Sequence, residues 1–176
     1  MKIVHPGGHL DQMLRQTRQH HVQLSSMADA KAGTLITVSS VLITLSAPHV
    51  LDPALKWPVI LLSVGCLTTI VLAIYTVMPK LSRDRKSDAP PELQSSTFNL
   101  LFFGNFTRLD YSQFEKAMEE MMNDPSRTYE MQVREVYTLG QYLASRKYRT
   151  LRWAYIAFIL GFFVSAATLL FSLRHN

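Results

Sequence analysis

The sequence predicts an all-α membrane protein: three transmembrane helices with a small cytoplasmic helical bundle, two long helices running continuously from cytosol into the bilayer. Three observations carry this. First, 48% of the 176 residues are hydrophobic, and they gather into blocks at residues 32–47, 57–78 and 153–173 that contain no charged side chain. A soluble globule would disperse them. Second, basic residues border the blocks. Four Lys and Arg precede the first (Lys2, Arg15, Arg18, Lys31), twelve lie between Lys80 and Arg152, and only Lys56 and Arg174 lie elsewhere. The positive-inside rule then puts the N-terminus in the cytoplasm and the C-terminus on the outer side. Third, Asp124 to Leu173 reads as one helix. Asp124 is a good N-cap, Pro125 occupies the first helical position, and no proline follows.

Residues 1–31 read as an N-terminal cytoplasmic segment that lacks the apolar core of a signal peptide. Pro6-Gly7-Gly8 punctuates its start. From Leu10 the stripe Leu10, Leu14, Thr17, His21, Leu24, Ala28 predicts a helix packed on another helix. His20 and His21 point about 100° apart and cannot form one site. No metal site is expected, and the single cysteine, Cys66, cannot form an intramolecular disulfide.

The first membrane segment, 32–47, is short at roughly 24 Å. Asp29 and Lys31 stand at its threshold and form a candidate switch. Lys31 can snorkel to head groups, whereas Asp29 needs water or a protein partner. Gly33, Thr37, Ser40 and Thr44 share one face, which suits a close helix–helix seam or the lining of a pore formed on assembly. After a turn at Pro48 to Pro58, residues 57–78 make a second segment of roughly 33 Å. Residues 79–152 form a cytoplasmic linker and helical region. Lys80, Arg83, Arg85 and Lys86 suit anionic lipid, and Pro90-Pro91 marks a solvated linker.

Phe98 to Tyr111 is apolar, rich in aromatics and broken by Gly104-Asn105, as expected of a loop or short strand. Ser112-Gln-Phe-Glu115 then reads as a capping box opening a short helix to about Asn123. The candidate ligand-binding residues are Phe103, Asn105, Phe106, Arg108, Asp110 and Tyr111. Aromatic rings can stack on a base, Arg108 can pair with a phosphate, and Asn105 and Asp110 can read hydrogen-bonding edges. The competing reading is a hydrophobic plug, with Asp110 capping the helix and Arg108 in solvent. The lower half of the last helix carries an apolar stripe through Tyr129, Val133, Val136, Gly140 and Leu143. A basic collar of Arg146, Lys147, Arg149 and Arg152 follows. The third membrane segment, 153–173, is roughly 31 Å long. Its small residues Ala157, Gly161 and Ser165 recur every fourth position and favour close packing.

Several of these motifs occur in an order that carries a resemblance. Asp29-Ala-Lys31-Ala32 leads into a membrane segment. Asn99-Leu-Leu-Phe-Phe-Gly104-Asn105-Phe106 is followed by Tyr111-x-x-Phe114. Tyr137-x-Leu-Gly140 and Lys147-Tyr148-x-x-Leu151 precede the last apolar block. Together they resemble the transmembrane effector family of bacterial Pycsar anti-phage defence, from about Ser25 to Ala166. The resemblance implies a ligand, cyclic CMP or cyclic UMP, made by a partner cyclase on infection. It also implies an effector that impairs the inner membrane, so that infected cells stop growing or die. Some relatives carry an HD-type phosphohydrolase domain, for which no His-Asp pair is present here.

The expected partners are thus a cyclic pyrimidine mononucleotide, the lipid bilayer and further copies of the chain, with no nucleic acid polymer and no cofactor. A non-enzymatic scaffold that recruits a partner through its cytoplasmic helices is the alternative. An enzyme is not expected, because HExxH, Walker-type and nucleophile–base motifs are missing.

Overall fold

The computed structural model describes residues 7–78 and 98–175. The regular structure in these residues is entirely helical, and three helices are long and apolar enough to cross a membrane. Helix α1 spans Gly8–Ser46 and runs into a 3₁₀ turn, Ala47–Leu51. Helix α2 spans Lys56–Val77, and the short α3 is Phe103–Phe106. Helices α4 and α5 are Tyr111–Met122 and Pro125–Tyr142. A π-helical turn, Leu143–Tyr148, leads into α6, Arg149–His175. The chain divides into two compact units. One takes residues 7–23 and 98–142, the other residues 24–78 and 143–175.

The second unit holds the three apolar blocks. Helices α2 and α6 approach most closely at Gly65 and Gly161. A Cβ built on either glycine would stand 2.6 or 2.7 Å from the other's Cα, so no larger residue fits either position without a shift. Toward the other end of the pair, two hydroxyls fasten the crossing. Ser165 Oγ donates to the Pro58 carbonyl at 2.8 Å, and Ser172 Oγ donates to the Ala54 carbonyl at 2.7 Å. Helix α1 joins through a core of alanines and two leucines: Ala28, Ala32 and Leu35 cluster with Ala73, Leu151 and Ala154. Alanine lets helices pack closely where lipid tails supply no hydrophobic drive. Outside this seam, Trp57, Val64, Val71, Phe162, Phe163 and Leu170 are all exposed. Only 28% of the most apolar window of α2 is buried. So much uncovered apolar surface fits a lipid solvent.

The first unit has its own core, in which Phe98, Leu100, Met121 and Met131 are buried against Leu101, Phe106, Leu109 and Phe114. Helix α5 begins as the sequence indicates. Asp124 Oδ1 accepts hydrogen bonds from the backbone N–H groups of Ser126 and Arg127 at 2.9 and 3.3 Å, with Pro125 as the first helical residue. The α1 stripe from Leu10 to His21 is buried or half-buried throughout.

Three local expectations are corrected. The aromatic stretch forms turns and the short α3, with no strand among its described residues. Helix α4 is capped two residues earlier than the Ser112/Glu115 pattern suggests. Asp110 and Gln113 form the capping box, and Gln113 Oε1 accepts the Asp110 N–H at 3.3 Å. Aspartate is as good an N-cap as serine, and the first turn then begins at Tyr111. Last, the helical course through α5 and α6 is not one regular α-helix, because the π turn interrupts it at the basic collar. A residue inserted into an α-helix is absorbed this way without a proline or glycine to mark it.

Candidate functional site

The aromatic segment sorts its own residues. Phe106 is half-buried, its ring 5.2 Å from that of Phe114 and tilted by 43°, so it works as core. Asp110 is occupied in capping α4. Asn105 is half-buried. Arg108 and Tyr111 are exposed, Tyr111 at 76% of its full surface. The side chain of Phe103, and the linker residues Lys80, Arg83, Arg85 and Lys86, lie outside the described residues. The segment is held from behind by Arg134, whose guanidinium donates to the Phe98 carbonyl at 3.4 Å and pairs with Glu130 at 3.2 Å. Asn99 is 3% exposed. Its Oδ1 accepts the Leu101 N–H, while its Nδ2 has no partner among the described residues.

Within the same unit, α1 meets α5 through a polar seam. The Tyr129 hydroxyl donates to Asp11 Oδ1 at 2.6 Å, and Arg18 pairs with Glu135 at 3.1 Å. Further along, Gly140 leaves the space that His21 fills, since a Cβ there would lie 3.2 Å from the His21 ring. The seam perturbs two groups. Donation to the Asp11 carboxylate holds the Tyr129 phenol above its ordinary pKa. Burial pushes the Glu135 carboxyl up, against the opposing pull of Arg18. Val133, placed in the α5 stripe by spacing, lies on the exposed side instead.

At the membrane threshold the sequence leaves the partner of Asp29 open, and the chain itself supplies one. Lys31 is exposed. Asp29 is bonded by Lys147, which the sequence places in the basic collar. Lys147 Nζ donates to Asp29 Oδ2 at 2.7 Å and to Ser25 Oγ at 2.7 Å, and its side chain is only 8% exposed. The next residue, Tyr148, donates its hydroxyl to the Leu24 carbonyl at 3.1 Å. The π turn thus delivers two consecutive side chains onto one turn of α1. The remaining collar residues, Arg146, Arg149 and Arg152, are exposed.

The two small-residue stripes separate. Gly161 and Ser165 meet α2, as described, and Ala157 is half-buried. Gly33, Thr37, Ser40 and Thr44 are all exposed, and among the described residues no other part of the chain stands within 4 Å of a Cβ placed on Gly33. The hydroxyls of Thr37 and Thr44 donate to the carbonyls of Gly33 and Ser40 in their own helix. Within the chain, α1 uses the adjacent face, Ala28, Ala32, Leu35 and Ser39. Two contact positions escaped the sequence reading. One is Lys147 as the Asp29 partner. The other is Gly65, which the spacing Gly65, Thr69, Ala73 could have revealed.

Among the described residues no three His, Cys, Asp or Glu side chains gather as metal ligands. Comparison with curated proteins and with solved structures gives no match. A family model does match: that of the PycTM domain, a Pycsar effector protein domain, over residues 12–173. Its span takes in most of both compact units, including the Arg18–Glu135 pair of the polar seam, the aromatic segment and all three apolar blocks. The chain therefore belongs to the Pycsar effector transmembrane family, the membrane effectors of this anti-phage defence.

Proposed function

We propose that this protein is switched by a cyclic pyrimidine mononucleotide, cyclic CMP or cyclic UMP. The nucleotide binds the unit formed by residues 7–23 and 98–142, which lies in the cytoplasm. Assembled copies of the chain then impair the inner membrane, and the infected cell is lost before phage mature. The protein acts by changing arrangement rather than by catalysis. One observation carries the reading. Helix α1 belongs at its start to a unit that it joins through a polar seam and at its end to a unit whose apolar surface is largely uncovered. A ligand that favours one arrangement of the first unit would bias the second through a shared helix.

The exposed pair Arg108 and Tyr111 supplies the chemistry a cyclic nucleotide requires: a guanidinium for the phosphate and a ring for the base. Phe106 and Asp110 support that pair as core and cap. The test is the melting temperature of the detergent-purified protein with cyclic CMP, UMP, AMP and GMP. One pyrimidine cyclic nucleotide should raise it, increasingly with ligand excess. Arg108→Ala and Tyr111→Ala should each weaken that ligand by about tenfold or more and leave membrane insertion unchanged. Folded protein that shifts with none of the four nucleotides would overturn the proposal.

A further inference from the structure

The threshold cluster is more than a packing contact. Lys147 is the most deeply buried cation of the second unit's described residues, and its bond to Asp29 joins α1 to the π turn that opens α6. Next to it lies the core of Ala28, Ala32, Leu35, Leu151 and Ala154 that holds the two helices together. The pair is also incomplete. Asp29 Oδ1 is buried without a partner among the described residues, although the side chain as a whole is 38% exposed. A half-satisfied ion pair at a rim is held less firmly than a fully bonded one, and water can complete it once it opens. Lys147 itself sits in the π turn, where i→i+5 bonding departs from the regular α pattern.

We propose that Asp29, Lys147 and Ser25 form a latch that holds the membrane helices in their resting arrangement, and that activation requires this latch to open. This rests on the reading of the protein as a ligand-switched membrane effector. Opening exposes Lys147 to water and head groups, beside Arg146, Arg149 and Arg152, which are exposed already. The contact between α1 and the π turn then loses its ion pair, and α1 is held by the neighbouring apolar core alone.

The full chain is reconstituted in dye-loaded vesicles of phosphatidylethanolamine and phosphatidylglycerol. Acylation of Lys147 by a water-soluble ester is followed by mass spectrometry, with the exposed Lys116 as internal reference. Dye release is followed with and without cyclic CMP and cyclic UMP. In the wild type, Lys147 should react on the order of tenfold more slowly than Lys116. Asp29→Asn should remove most of that difference and release dye with no nucleotide present, and Lys147→Met should also release dye. The paired variant Asp29→Leu/Lys147→Met has no charge to hydrate in the open form. It should stay tight and resist nucleotide, and it keeps the test decisive if a single variant fails to insert.

A Lys147 that reacts like Lys116 in resting wild type overturns the latch. So does an Asp29→Asn protein that stays tight while the wild type responds to nucleotide, or a paired variant that responds as the wild type does. Release by Asp29→Asn from a wild type that ignores both nucleotides supports the latch and removes the nucleotide reading instead. Vesicles that no protein renders leaky overturn the latch as a control of membrane integrity.

Discussion

At the scale of single residues, burial sets the character of the α1–α5 seam. Glu135 is 12% exposed beside Arg18, and burial raises its folded-state pKa despite that partner. The sign follows from linkage. A carboxyl with a raised folded pKa contributes stability that is fully present below its ordinary value and is lost as pH rises through the raised one. The wild type should therefore lose melting temperature as pH rises from the ordinary carboxylate range toward neutrality. Glu135→Gln should lose less over the same window. Equal pH profiles for the two proteins would show that Glu135 is not the group responsible. Tyr129 has the same sign at alkaline pH: its bond to Asp11 is present below the ordinary phenol pKa and is lost as the raised value is passed. Neither group was legible in the sequence. A tyrosine and a glutamate on an amphipathic helix say nothing of their partners until α1 is laid beside them. Lys147 shows the same limit more sharply. It stands among three other basic residues, and nothing in that run marks which one turns inward.

At the scale of elements, what was legible follows from local chemistry. Asp124-Pro125 fixes the start of α5 because cap and first-turn preferences act within a few residues. The stripe from Leu10 to His21 fixes the packed face of α1 by helical period alone. What was not legible depends on a choice between equivalent faces. Helix α1 has two faces of small residues, and spacing cannot say that Ala28, Ala32 and Leu35 meet the chain's own helices while Gly33, Thr37, Ser40 and Thr44 stay uncovered. The π turn is similarly silent, and it yields a prediction. Deleting Ala144 should let the turn close into ordinary α turns while residues on either side keep their faces. Deleting Ala157 should rotate everything beyond it by about 100°, taking Gly161 from Gly65 and Ser165 from the Pro58 carbonyl. The first deletion should lower the melting temperature by about 5 °C or less, and the second by at least about 10 °C. Equal losses would mean that the π turn is not a spare residue in the helix.

At the scale of the molecule, three apolar helices and one charge pattern combine into a statement about sidedness. Apart from Lys56 and Arg174, every Lys and Arg lies either before the first apolar block or between the second and third. Positive segments resist translocation, so both of these stretches should stay in the cytoplasm, with Lys56 and Arg174 outside. An odd number of crossings then leaves the N-terminus inside and the C-terminus outside. The weakest crossing is the first. Residues 32–46 of α1 supply only about 22 Å of apolar helix, so the 3₁₀ turn Ala47–Leu51 and the interfacial turn around Asp29 must complete the span. Protease added to spheroplasts should therefore remove a C-terminal tag and spare an N-terminal one. If both tags were spared, one of the three helices would not cross. Asp11 bonds Tyr129 and Arg18 pairs with Glu135, so residues 7–23 and 98–142 share one side of the membrane, and α1 and α2 must both cross or both fail to cross. The helix left uncrossed would then be α6. Susceptibility of the C-terminal tag thus decides whether α6 spans the bilayer as well as which way the protein faces.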